Sequence, residues 1–345
     1  DTSYTEDSLT NVSSYLNELL AGTDISNEKT LVQAFKDGEI EVGDYVNYKP
    51  SEAKSVTVGT DKTGYTNSNS MSDGTDQTFT TDMNTTWQVL GLSEDGQHLL
   101  LTSGSPIKKD GEDPYLVLQG AEGYLYCKDT VEGENGTLDE IAGIYHNSTL
   151  AEETRSMTIK DIENVLGGVT VTFPEEGENG TGTIYFNADE SRNTEIGIVT
   201  KYPSYTYQSD DYSPESAIQD PPQNATAGTK VDADAYAFMY DYAGYQELGI
   251  DISEKAYNML FTGTTNDKNI AKSYWLASPG VGANSSSAGF SPGIVVGGYV
   301  ASGGDIYLFN SSGRWNAHGF AVRPVVVLKS NINVNQLQVI EDQTE

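Results

Sequence analysis

Two short apolar runs near the C-terminus constrain this chain most. The first is Ser273-Tyr274-Trp275-Leu276-Ala277-Ser278. The second is Gly319-Phe320-Ala321-Val322-Arg323-Pro324-Val325-Val326-Val327-Leu328. Each is short, aromatic or β-branched and bounded by turn residues, so each reads as a buried strand. Pro324 then has to sit where no ladder hydrogen bond is needed, at an edge or a bulge. Arg323 inside an apolar strand is costly unless its donors are met, so we expect it buried and bonded to backbone or to an acid. Between the runs lies a stretch rich in Gly, Ser and Asn with scattered aromatics.

The chain has 345 residues, enough for one elaborated domain or two. Its formal net charge of −32 disfavours nucleic acid and anionic membranes as partners, because phosphate binding needs clustered Lys and Arg. The charge is uneven. From Asn269 to Ser330, Lys272, Arg314, Arg323 and Lys329 face only Asp305, so four cations less one acid leave +3. This fits a neutral, polar ligand-facing surface, or simply Gly/Ser-rich loops that carry few charges. Twenty-two Tyr against nine Phe suit either a recognition surface or exposed strands of a β-rich protein. Cys127 is the one cysteine, which excludes an intrachain disulfide and reads as a small buried hydrophobe. No apolar run reaches the roughly 18 residues that a spanning helix needs.

Periodicity predicts a helix over 7–21, with Leu9, Val12, Leu16, Leu19 and Leu20 on one face. A second helix, 27–36, is expected to be capped by Ser26. Alternation from Ile40 to Tyr48 predicts a strand, and the polar stretch 51–81 a hairpin or exposed loop. Trp87–Leu92 and Gln97–Thr102 flank Ser93-Glu94-Asp95-Gly96, the sharpest hairpin signal in the chain. Further elements fall at 116–126 and 138–145. Residues 155–166 read as a helix capped by Thr158, with Asp161 where a capping box places Glu or Gln. Residues 169–173 and 183–186 suit a hairpin. Segment 202–229, with four prolines, is loop chemistry, 233–242 a strand or short helix, and 251–261 a helix.

The Tyr274–Ser278 and Gly319–Pro324 ends, with polar loops between them, resemble the C-terminal part of a C-type-lectin-like domain. The variety is that of formylglycine-generating enzymes and retroelement-diversified variable proteins. The likeness is closest to a family of secreted or surface proteins of Gram-positive gut bacteria. That family also carries a "GDYVNY" segment, here Gly43-Asp44-Tyr45-Val46-Asn47-Tyr48. The resemblance covers residues 39–166 and 270–330 and is weak over 169–265. It implies an α+β, C-type-lectin-like fold with N-terminal helices (1–38), a domain over 39–330, a large β/loop insertion about 169–265, and a tail at 331–345.

The chemistry of such relatives does not carry over. The enzymes need a reactive cysteine pair, and this chain has Cys127 alone. The lectin calcium triplets are missing, and Trp315-Asn316 is followed by Ala317 rather than Asp. His98, His146 and His318 have no ligand spacing, so no metal or cofactor is expected. His98 reads as a surface strand residue, and Ser209-Asp210-Asp211 as a loop able to meet a structural cation. What the resemblance implies instead is binding through the loops of 278–318. The matching positions are Asn284, Ser286, Tyr299, Tyr307, Asn310, Arg314, Trp315, Asn316 and His318. Aromatics for area with small polar groups for hydrogen bonds is the composition of adaptable binding surfaces. The expected protein is non-catalytic, extracellular or cell-surface, and binds a glycan or a surface protein. A structural subunit of a pilus-like surface assembly is the alternative.

Overall fold

The computed structural model describes residues 28–65, 75–107, 109, 115–127, 136–166, 170–172, 183–185, 253–261, 273–283, 288–296, 299–301, 307–310 and 316–340. The elements expected at 7–21, 202–229 and 233–242 lie outside them. Helix α1 (Leu31–Lys36) is followed by β1 (Tyr45–Val46), β2 (Ser55–Val58) and the short α2 (Thr60–Thr63). Next come β3 (Gln77–Thr80), β4 (Trp87–Leu92), β5 (Leu99–Ser103), β6 (Leu116–Gln119) and α3 (Gly120–Leu125). Helix α4 (Thr137–Ala142) runs into a 3-10 turn, then β7 (Ala151–Ser156), α5 (Ile159–Leu166), β8 (Thr170–Thr172) and β9 (Thr183–Tyr185). After α6 (Glu254–Leu260) come β10 (Tyr274–Ala283), β11 (Ala288–Val296), β12 (Tyr299–Ala301) and β13 (Phe309–Asn310). Strands β14 (Ala317–Phe320), β15 (Pro324–Leu328) and β16 (Val339–Ile340) close the chain.

The protein is thus α+β and mostly antiparallel sheet. A six-stranded sheet has the order β16-β1-β4-β5-β15-β7, and a four-stranded sheet joins β10, β11, β12 and β13. Ribbons β14–β6, β2–β3 and β8–β9 complete it. Period-2 alternation in β5 and β15 feeds two cores. Leu99, Leu101, Val326 and Leu328 enter one, with Trp87 and Trp275. Leu100 and Val325 enter the other, beneath Ile162 of α5 and Ala256, Met259 and Leu260 of α6. Leu31 and Ala34 before the expected domain, and Ile332 and Leu337 after it, share the first core. Cys127 is fully buried there.

The hairpin β4–β5 forms where expected, with Gly96 at φ +66 in the turn. The cap at Thr158 also forms. Its hydroxyl takes the Asp161 N–H at 3.3 Å, and the Asp161 carboxylate takes the Thr158 N–H at 2.8 Å. Asp161 is therefore long enough to close the box, and it also holds Arg155 through two bonds of 2.7 and 2.8 Å.

Several expectations are corrected. The second helix begins at Leu31 and is capped by Thr30, not Ser26, because residues 29–31 are drawn into pairing with Ile332 and Val334. The strand expected over 40–48 shrinks to Tyr45–Val46, since Gly43 at φ +88 and the Asp44 side chain on the Glu41 N–H make a turn. Residues 155 and 156 end β7 rather than start a helix. The closing run is two strands, not one. Pro324 opens β15, a central strand between β5 and β7, and its missing N–H is tolerated there because it is the strand's first residue. His98 is only partly exposed, with Nδ1 2.8 Å from the Leu328 carbonyl and 3.4 Å from Glu152, because β5 starts beside the end of β15.

Five of the six residues of the Gly43–Tyr48 motif have a structural role. A Cβ on Gly43 would sit 2.7 Å from the Lys255 side chain. Asp44 pairs with Lys255 of α6. Val46 is buried, and Asn47 exchanges bonds with Gln338 at 2.9 and 3.1 Å. The Tyr48 ring meets the Trp87 ring edge-on at 4.9 Å.

Two consequences are measurable. Gly64 (φ +63) lies against the Gln119 carbonyl, and a Cβ would approach that oxygen to 2.0 Å. Gly64→Ala should cost about 3 kcal/mol or more. Gly143, with open space around it and ordinary helical backbone, should gain about 0.5 kcal/mol as Ala. Chemical denaturation of both variants checks the contrast. His146 is held below its ordinary pKa first by burial and then by Lys54 and Lys329. A depressed folded-state pKa means stability that is full above the unfolded value and is lost as pH falls from there through the lower folded value. Wild type should therefore lose more melting temperature between pH 8 and pH 5 than His146→Gln, and equal losses would refute this.

Candidate functional site

The segment carrying the expected binding loops stands on buried aromatic supports. Trp275 is fully buried; its Nε1 donates to the Leu116 carbonyl at 2.9 Å, and the Phe320 ring meets it edge-on at 4.7 Å. That ties β10 to both strands of the β14–β6 ribbon. Gly319 lets β14 pass close to Tyr115, whose Cβ would lie 3.0 Å from an added Cβ. Gln77 braces the outer side of β6. Its amide donates to the Val117 carbonyl at 2.8 Å and accepts the Val117 N–H at 2.7 Å, imitating a strand partner.

Of the nine expected site residues, the structure brings Tyr307 and Asn316 together. The Asn316 N–H donates to the Leu308 carbonyl at 2.7 Å, and its side-chain amide to the Tyr307 carbonyl at 3.3 Å. Leu308 is fully buried in the first core. These bonds form a neck that joins Tyr307 and Leu308, just before β13, to Asn316, just before β14. Both neck residues are half-buried, as is every residue of β14. His318 lies within β14, opposite Leu118, rather than in a loop before the closing strand. Tyr299 stands opposite Val296 in β12, and Asn310 opposite Gly289 in β13. Asn284, Ser286, Arg314 and Trp315 lie outside the described residues. The neck was not legible beforehand: its acceptors are main-chain carbonyls, which leave no residue signature.

Arg323 lies inside, 2% exposed. It donates to the Ser103 carbonyl at 3.0 Å, and its guanidinium lies 5.0 Å from the centre of the Tyr274 ring. Its Nε finds no hydrogen-bond partner among the described residues. The backbone alternative of the expectation is the one realised. Burial lowers its pKa, opposed by Tyr274, and burial likewise raises the Tyr274 pKa. The Tyr274 hydroxyl donates to the Leu260 carbonyl at 3.1 Å, so Arg323, Tyr274 and the end of α6 form one stack.

Among the described residues, no three His, Cys, Asp or Glu side chains could hold a metal ion, and no helix is long and apolar enough to cross a membrane. Comparison of the chain with known protein families, curated proteins and solved structures gives no match in any of the three.

Arg323→Ala should cost about 3 kcal/mol or more, through lost packing and an unmet carbonyl. Tyr274→Phe should cost about 1 kcal/mol, the worth of one hydrogen bond. A melt unchanged by Arg323→Ala would overturn the structural role assigned to it.

Proposed function

We propose that the protein is a non-catalytic, secreted or cell-surface binding protein with a C-type-lectin-like arrangement. It recognises a glycan or another surface protein through the loops of residues 278–318. The observation that supports this best is the neck at Tyr307 and Asn316, hydrogen-bonded and anchored by buried Leu308. A polar segment that leaves a rigid base can vary in sequence without disturbing the core, and a preorganised base lowers the entropy lost on binding. The shortage of acid from Asn269 to Ser330, in a chain of net charge −32, favours a neutral polar ligand. Tyr299, Trp315 and His318 supply aromatic faces suited to sugars, and Asn284, Ser286, Asn310, Arg314 and Asn316 supply hydrogen bonds.

The test is binding of the full chain to a glycan and bacterial-surface panel, beside the double variant Tyr299→Ala, Trp315→Ala. Binding by wild type should fall about 30-fold or more in a variant that melts normally. No binding by wild type, with self-association in solution, would replace this reading with the structural-subunit one.

A further inference from the structure

Four adjacent strands place one row of residues on the same face of the six-stranded sheet. Trp87 of β4 is paired with Ser103 of β5, and Pro324 of β15 with Ser156 of β7. Val325 pairs with Thr102, so Ser103 and Pro324 are the next neighbours along the β5–β15 ladder. The row therefore reads Trp87, Ser103, Pro324, Ser156. It faces the first core, because Trp87 and Val326, two residues beyond Pro324, both belong there.

This row is polar and buried. Trp87, Ser103 and Ser156 are all fully buried. Among the described residues, Trp87 Nε1, Ser103 Oγ and Ser156 Oγ find no hydrogen-bond partner, although the Ser156 main-chain N–H does. Helix α4 covers the β7 end of the row: Asp139 accepts the Ser156 N–H at 2.7 Å. Thr137, two residues earlier and fully buried, carries a fourth polar atom without a partner. One buried polar atom without a partner is unremarkable. Several on one row, beneath one helix, are not, because native interiors meet such groups with protein or with water.

We propose that this row is a binding site for internal water, a short file running from Trp87 past Pro324 to Ser156 under α4. The chemistry selects water over a larger ligand. The groups are one N–H donor and hydroxyls that both donate and accept, which is what a bridging water meets. Neighbouring strands lie about 4.8 Å apart, so Ser103 and Ser156, two strands apart across Pro324, are too far for a direct bond but within the span of two or three waters.

The sign of a serine deletion separates the two states of the row. A hydroxyl buried dry is penalised, so replacing it by Ala raises stability; a hydroxyl bonded to ordered water lowers stability when removed. We expect Ser103→Ala and Ser156→Ala each to lower the melting temperature by about 2 °C or more. A crystal structure of the full chain, at a resolution that shows water, should place ordered waters within hydrogen-bond distance of Ser103 Oγ and Ser156 Oγ. Dry density at the row, with melting temperatures unchanged or raised in both variants, overturns the proposal.

Discussion

The interior turns on Ala321. Its carbonyl accepts the Trp275 N–H at 2.9 Å, and its own N–H reaches the Ser273 carbonyl at 3.0 Å. On either side of this point the chain belongs to different structures: β14 pairs with β6, and β15 enters the six-stranded sheet. The Ala277 N–H to Met157 and the Met157 N–H to Arg323 carry the same seam onward. The main-chain groups buried here are met by one another, so the seam holds only if all of its segments arrive together. That makes the joint cooperative. It is why Arg323 belongs to it: a fully buried guanidinium spans from the β5 carbonyl to the Tyr274 ring and closes the gap where one strand ends and the next begins.

The two motifs at the C-terminus and the Gly43–Tyr48 segment are architecture. Tyr274 supports α6, Trp275 anchors β6, Ala277 joins Met157, and Asn47 receives the C-terminal segment. Residues fixed by this many interior contacts report how a chain folds and say little about what its loops touch. A resemblance carried by them is correspondingly informative about architecture and silent on ligand.

Local chemistry was readable in advance where it is complete within a few residues. The Ser93–Gly96 hairpin and the Thr158–Asp161 box each contain both partners in one short window. The burial of Arg323 followed from its apolar flanks. What failed to show were features decided by remote partners. Thr30 replaces Ser26 as a cap because Ile332 and Val334, about 300 residues away in the chain, claim the backbone of Leu31 and Lys29 on either side of it. Pro324 could open a central strand because Val322 pairs elsewhere, with Ile107. In the candidate site, the residue types of the loops were visible but their geometry was not: among the described residues Asn316 meets Tyr307, and it does so through a main-chain oxygen.

The pairing of residues 28–31 with 332–334, beside β16 on β1, has a mechanical meaning. Tension applied between Glu28 and Ile340 would meet these few bonds first and open them one after another, as a zipper opens. The inner strands of the six-stranded sheet and the second core would lie off the line of force. A domain held this way can be tugged at its ends and still present an undistorted face, with the clasp serving as the extensible element.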